Sequence, residues 1–209
     1  NKNLNEKNYN YWKPNFIKKN SYSFRTNCEI VRELLINSVK LRLRSDVPLA
    51  FCVSSGVDSN ALIYIAKKNF NYDVKGFSIS SADPRYSEKK LMEEVYKKDR
   101  IDCTYIKPTK KNFLSNLKKI INQHDSPIST ISYYLHWQLL KKISEKKYKV
   151  SISGTGADEI FSGYYDHFNF YLAYLKKKEP KLFNKSLKDW YKFQYNSIRN
   201  PFIKDPYLI

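Results

Sequence analysis

The sequence predicts an α/β fold: a doubly wound parallel sheet flanked by helices, with a helical C-terminal extension. Three features of its 209 residues predict it. Short apolar runs alternate with amphipathic helical patterns between residues 49 and 153, the order that builds βαβ units with right-handed crossovers. The first run, Leu49 to Val53, is continuous rather than alternating, as in a strand buried on both faces. After the last run, from Leu172 to Ile209, the chain reads as helices rich in aromatics and lysine.

Residues 1–22 are polar and aromatic without periodicity and read as a linker or arm; residues 23–209 form the expected domain. Ile30, Val31, Leu34, Leu35 and Val39 follow helical spacing over about 27–44, with Asn27 as N-cap. Ser45-Asp46-Val47-Pro48 ends that helix and leads into a first strand, Leu49 to Val53. A small-residue turn, Ser54-Ser55-Gly56-Val57-Asp58-Ser59, precedes a helix with Ala61, Leu62, Ile65 and Ala66 on one face. Residues 72–80 read as a second strand and 81–85 as a loop. Ser87 caps a helix carrying Leu91, Met92, Val95 and Tyr96. Residues 102–106 are a third strand. Thr109 opens a helix bearing Phe113, Leu117 and Ile120-Ile121, and another helix spans about 130–143. Residues 148–153 are a fourth strand. No internal repeat is visible.

The formal charge of +18 raises the question of nucleic acid. The lysines are spread along the whole chain, in pairs such as Lys67-Lys68, Lys89-Lys90 and Lys141-Lys142 on separate predicted helices, so the pattern reads as a solvated basic surface. Nucleic acid is therefore not expected as a partner. No apolar run approaches a membrane span and no signal-peptide pattern opens the chain, which argues against a membrane partner. Three widely spaced cysteines, Cys28, Cys52 and Cys103, form neither a disulfide framework nor a zinc pattern. A reducing cytoplasm is the expected location. His124, His136 and His167 share no metal-ligand spacing and read as surface or packing residues. The chain begins at Asn1 and ends after Pro206-Tyr207-Leu208-Ile209, and we expect it to be a fragment of a longer protein.

The chemistry concentrates in two loops. A strand, a small-residue turn and a helix N-terminus gather unpaired N–H groups at the positive end of the helix dipole, where an anion such as phosphate binds. Gly56 lets backbone approach the ligand, and the hydroxyls of Ser54, Ser55 and Ser59 add donors. A carboxylate at Asp58 beside phosphate calls for an intervening cation, which argues for Mg²⁺. The alternative is an ordinary βα turn with Asp58 as helix N-cap. The second loop, Ser153-Gly154-Thr155-Gly156-Ala157-Asp158-Glu159, follows the fourth strand. Its glycines expose amides, and its acids either begin a helix or, with Asp58, hold a metal against a nucleotide. In open α/β sheets ligands bind beyond the carboxyl ends of the strands at the switch in strand order, so the two loops are expected to converge.

The turn Ser54–Ser59 resembles the pyrophosphatase loop, Ser-Gly-Gly-x-Asp-Ser, of enzymes that split ATP into AMP and pyrophosphate. Together with Ser45-Asp46-Val47-Pro48, Phe77-Ser78-Ile79, residues 83–88 (DPRYSE) and residues 153–164 (SGTGADEIFSGY), it is similar to the synthetase domain of glutamine-hydrolysing asparagine synthetases, over about Tyr11 to Tyr165. The resemblance implies an adenine nucleotide alpha hydrolase-like fold. It implies a reaction in which ATP adenylylates the side-chain carboxylate of aspartate or a related acid, and ammonia then attacks to give the amide. By analogy Ser54, Ser55, Gly56 and Ser59 bind the ATP phosphates, Val53, Ile79, Ser153 and Gly154 line the adenosine side, Asp58 and Asp158 hold Mg²⁺, and Asp158 and Glu159 are catalytic. Ammonia would come from a glutaminase domain or subunit not in this chain, and a homodimer is the expected assembly. Ser55 stands where the family has its first Gly, and Thr155 where asparagine synthetases carry Glu, which points to another acceptor acid or a weakened enzyme. The family's late catalytic Lys has no match in the tail. The competing readings are a tRNA-modifying enzyme of the same loop superfamily and a degenerate ATP-binding scaffold.

Overall fold

The computed structural model describes residues 8–14, 21–80, 89–198, 200–201 and 204–206. The 83–88 motif and the Ser87 cap lie outside these residues, as does much of the 1–22 segment. The first helix, α1, spans Phe24–Arg42 and begins earlier than the apolar pattern predicts, because Ser23 rather than Asn27 is its N-cap: the Thr26 amide donates to Ser23 Oγ at 3.1 Å. Then follow β1 (Leu49–Cys52), α2 (Val57–Phe70), β2 (Lys75–Ile79), α3 (Lys89–Lys98), β3 (Asp102–Ile106), α4 (Phe113–His124), α5 (Ser132–Glu145) and β4 (Val150–Ile152). Three helices close the described chain: α6 (Ala157–Phe161), α7 (Tyr165–Lys178) and α8 (Pro180–Phe193).

The four strands form one sheet in the order β3-β2-β1-β4, and every pair is parallel. β3 has the expected bounds; β2 and β4 are shorter than their apolar patterns because strand residues are set by pairing, not by hydrophobicity alone. Val53 falls just outside β1, yet its amide still donates to the Phe77 carbonyl at 2.9 Å, so the ladder holds the chain up to the first loop. Thr109 does not open α4; its Oγ1 accepts from the Lys111 amide in the preceding loop, and Asn112, at φ 57°, precedes the helix.

Alternate side chains of the strands feed two cores. On one face Leu49, Phe51 and Val53 pack with Val39 of α1, Ile63 and Ala66 of α2 and Met92 and Tyr96 of α3. On the other, Ala50 and Phe77 pack with Leu139 and Ile143 of α5. Burial of β1 on both faces explains its continuous apolar run. Within α2 the fully buried residues are Ile63 and Ala66, with Leu62 and Ile65 only partly covered at the edge of the stripe.

β1→β2→β3 runs outward in one direction and β4 returns to the other side of β1, so the switch in strand order lies between β1 and β4. The tail helices α7 and α8 make a separate small core of Leu172, Trp190 and Ile198, with Phe183 and Leu187 against it. The aromatics of α7 do less packing than their number suggests: Leu172 and Leu175 are buried, while Phe170, Tyr171 and Tyr174 remain exposed.

Candidate active site

At the carboxyl ends of β1 and β4 the two loops open onto one cavity of about 550 Å³. The first loop is held by its own serines. The Ser54 amide donates to Ser59 Oγ at 3.0 Å, the two hydroxyls lie 3.1 Å apart, and the Gly56 amide donates to Ser54 Oγ at 3.1 Å. Asn60 ties the loop from behind: its Nδ2 donates at 2.8 Å to the carbonyls of both Ser54 and Gly56, and its Oδ1 accepts from the Tyr96 hydroxyl at 2.8 Å. Gly56, not Asp58, occupies the N-cap position of α2, and no side chain caps it. Asp58 sits instead in the first turn, where the dipole favours negative charge. The leading amides of α2 thus face the cavity with the helix's positive end behind them.

Ser55, where a glycine is usual in the resembling loop, is not among the described non-glycine residues with positive φ. A side chain there carries no backbone strain. Gly56 at φ −66° is likewise ordinary backbone; what a side chain would meet there is Ser54 Oγ, 3.1 Å from an added Cβ.

The second loop leaves β4 through Ser153, whose hydroxyl donates to Thr155 Oγ1 at 3.0 Å. Gly154 packs directly on the first loop: an added Cβ would stand 3.0 Å from Asp58 Cβ and 3.0 Å from the Ser59 amide nitrogen. Gly156 adopts φ +97°, a conformation that suits glycine, and starts α6 with Asp158 and Glu159 in its first turn. Gly163 returns over Asp158, its amide donating to the Asp158 carbonyl at 2.9 Å, and leaves no room for a Cβ beside that carboxylate. Tyr164 then donates its hydroxyl to Glu159 Oε1 at 2.8 Å. This bond holds the Glu159 carboxyl below its usual range, and the same contact raises the Tyr164 hydroxyl.

Of the positions singled out in the sequence, Val53, Ser54, Gly56, Asp58, Ser59, Ile79, Ser153, Gly154, Asp158 and Glu159 all line this cavity. Ser55 does not. It lines an apolar groove with Tyr64, Met92 and Tyr96, because its neighbours Ser54 and Gly56 turn their faces towards the cavity. Cys52, at the end of β1, also lines the cavity, and burial pushes its thiol up. His136 of α5 lines it too, with Leu139 and Leu140. As an isolated histidine it carried no spacing signal in the sequence; only the placement of α5 over the sheet brings it to the site.

No group of three or more His, Cys, Asp or Glu among the described residues could hold a metal by itself. Asp58 and Asp158 nonetheless face one cavity. Mg²⁺ is commonly bound through one or two carboxylates together with substrate phosphates, and this donor set fits such a shared ion.

A parallel sheet whose switch point opens into a serine- and glycine-walled, carboxylate-bearing cleft defines the class: a doubly wound α/β domain with a ligand site beyond its strand ends. The family is more specific. The family model described as asparagine synthase matches residues 30–203, and the chain belongs to that family, whose members named asparagine synthetases are carbon–nitrogen ligases. The chain is 31% identical over 137 residues to asparagine synthetase [glutamine-hydrolyzing] 1 of Bacillus subtilis (strain 168), covering 64% of this chain and 21% of that protein. It is 29% identical over 177 residues to putative asparagine synthetase [glutamine-hydrolyzing] 2 of Methanocaldococcus jannaschii, covering 83% and 33% respectively. It is 25% identical over 173 residues to amidase chyE of Penicillium rubens, covering 74% and 25%. The chain therefore spans about a fifth to a third of the length of these relatives. The family match does not favour the tRNA-modifying alternative. No described helix is long and apolar enough to cross a membrane.

Proposed function

We propose that residues 23–209 form the ATP-using synthetase domain of an amide-forming ligase, with residues 1–22 as an attached arm. The domain would adenylylate the side-chain carboxylate of aspartate or a related acid. Ammonia would then displace AMP to give the amide. The observation that carries this reading is the meeting of the Ser54–Ser59 and Ser153–Glu159 loops in one cavity, with Asp58 and Asp158 both on its wall.

Ser54, Gly56 and Ser59 would receive the phosphates, supported by the helix N-terminus behind them and by the hydrogen bonds that fix the loop before any ligand arrives. Asp58 and Asp158 would hold Mg²⁺, which when bound would offset the charge of the departing pyrophosphate. The Tyr164 hydroxyl donates to Glu159 and favours its ionised form, which weakens it as a proton acceptor, so it is suited to orient a cationic group and not to act as an acid. Thr155, pinned by Ser153, carries no charge. With Thr155 in this position, the acceptor would be an acid that needs no charged partner there, which extends the proposal beyond aspartate. The relatives named as glutamine-hydrolysing support a glutaminase domain or subunit as the source of ammonia. Three unpaired cysteines suit a reducing, cytoplasmic setting.

Calorimetric titration with Mg·ATP tests the reading. The chain should bind it, and Asp58→Ala and Asp158→Ala should each weaken binding at least about tenfold, the cost of removing a charge-assisted contact. Binding unchanged in both variants would refute the site. Release of AMP and pyrophosphate in the presence of candidate acids then identifies the acceptor.

A further inference from the structure

Helices α2 and α3 lie side by side on one face of the sheet. Behind the first loop, the Tyr96 hydroxyl of α3 donates to Asn60 Oδ1 of α2 at 2.8 Å. One turn further along α2, the Tyr64 hydroxyl donates to Asp99 Oδ2 at 2.6 Å, and Lys68 pairs with the same carboxylate at 3.0 Å. The rings of Tyr64 and Tyr96 meet edge to face, with centroids 6.5 Å apart. These contacts hold the two helices at the spacing that lets Tyr96 reach Asn60. Asn60 and Tyr96 line the groove between the helices, and neither lines the cavity.

We propose that Asn60 is a positioning residue for the phosphates, setting the aim of the amides in the turn between β1 and α2 without touching the ligand, and that Tyr96 holds Asn60 in that role. This rests on the ATP-binding reading above. The carbonyls of Ser54 and Gly56 both need a donor. The Ser59 hydroxyl lies 3.3 Å from each but carries a single proton, whereas the Asn60 amide carries a pair and reaches both carbonyls at 2.8 Å. With the described peptide bonds all trans, a carbonyl held on Asn60 turns the following N–H the opposite way. Those N–H groups belong to Ser55 and Val57, and Val57 opens α2, where an N–H has no partner within the helix. Burial pushes the Tyr96 hydroxyl above its ordinary range, so it keeps its proton and donates. That donation fixes Asn60 Oδ1 towards α3 and Nδ2 towards the turn. Reversed, the amide would set Oδ1 against two carbonyl oxygens with no proton between them.

The test titrates Mg·ATP and Mg·pyrophosphate, which have the phosphates in common. Asn60→Ala in the full chain should weaken both alike, by about tenfold, and Tyr96→Phe, which keeps the buried ring, by about threefold. Because Tyr96 acts through Asn60, adding Tyr96→Phe to Asn60→Ala should change either affinity by less than about twofold. A merely structural brace would lower the melting temperature of the variants and leave both affinities where they were. That result overturns the proposal, as does a Tyr96→Phe loss equally large with and without Asn60, or a loss confined to Mg·ATP. If Asn60→Ala does not fold, Tyr96→Phe decides by itself: unchanged affinities overturn the proposal and an equal loss for both ligands supports it. An unaltered chain that binds both ligands, with variants that bind them equally well, removes this inference alone; an unaltered chain that binds neither removes the ATP-binding reading together with it.

Discussion

The two loops that make the cavity are built in opposite ways. The first is closed by side chains: Ser54, Ser59 and Asn60 satisfy its backbone, Tyr96 braces it from α3, and a 14-residue helix follows. The second depends on backbone conformation. Gly156 at φ 97° opens a five-residue helix, and Ser162 at φ 58° ends it. Its strand, β4, is a three-residue edge whose Val150 is 43% exposed. The first loop is thus set before a ligand arrives, whereas the second is held in place by its contact with the first. Gly154 against Asp58 is where that contact is made.

The sharpest way to break the comparison is to part the loops. Gly154→Val places a branched side chain against the Asp58 backbone and the Ser59 amide, neither of which can rotate away. Overpacking of this kind costs about 1–3 kcal/mol of stability. The cavity should open as well, with Mg·ATP affinity falling by about a hundredfold or more, since misplacement of about 1 Å can cost that much. Titration calorimetry and thermal melting read the two effects separately.

Ser59→Ala should come next. Ser59 is 9% exposed, and its Oγ is the acceptor for the Ser54 amide, so truncation strands a part-buried donor. A loss of about 1–3 kcal/mol is expected in chemical denaturation. Because this loop is organised by side chains, hydrogen exchange should show its amides losing protection while those of the second loop keep theirs.

The two glycines at the helix starts give a matched pair. Gly156→Ala meets nothing within 4 Å, yet its φ of +97° strains any side chain. We expect a loss of about 1–2 kcal/mol. Gly56→Ala sits at φ −66°, and its Cβ meets only the rotatable Ser54 hydroxyl at 3.1 Å. It should cost less in stability. Equal losses in the two denaturation curves would contradict the contrast between a backbone-built and a side-chain-built loop.

These same differences decide what could be read from the sequence. The first loop was legible because each feature is local: an apolar strand, a turn of serines and glycine, and a helix within about twenty residues. The continuous apolar run from Leu49 to Val53 also revealed burial on both sheet faces, now seen in Leu49, Phe51 and Val53 against one core and Ala50 against the other. Convergence of the second loop followed from strand order alone, since β4 had to lie beside β1 for the sheet to have its switch there. The misplaced start of α1 has a local cause. Apolar spacing marks the buried stripe, whereas a helix begins where its amides find a cap, at Ser23 for α1. His136 was illegible for a different reason. Its place on the cavity wall depends on α5 packing on β2 and β3, a tertiary placement with no signature in the spacing around one histidine. The orientation of Ser55 away from the cavity belongs to the same class, set by the path of the turn and not by residue type.

The smallest expected effect concerns a side-chain bond at the end of the second loop. Tyr164 donates to Glu159 at 2.8 Å between exposed groups. The Glu159 carboxyl is held below its ordinary 4.5, chiefly by that hydroxyl, so the folded state favours the ionised form. A depressed carboxylate contributes stability that is complete above its unfolded value and is lost as pH falls through the folded value. The Tyr164 hydroxyl is raised above its ordinary 10.0, chiefly by the same bond, so its contribution is complete below pH 10.0 and lost as pH rises through the folded value. The bond is therefore whole between the two ordinary values and fades outside them. Tyr164→Phe should lower the melting temperature by only about 1 °C near neutrality, as expected of an exposed contact. That difference should fade in acid as pH falls from 4.5 through the lower folded value, where Glu159 takes up its proton. A difference undiminished in acid, or one of many degrees at neutrality, would mean that side chains fix the second loop as firmly as they fix the first.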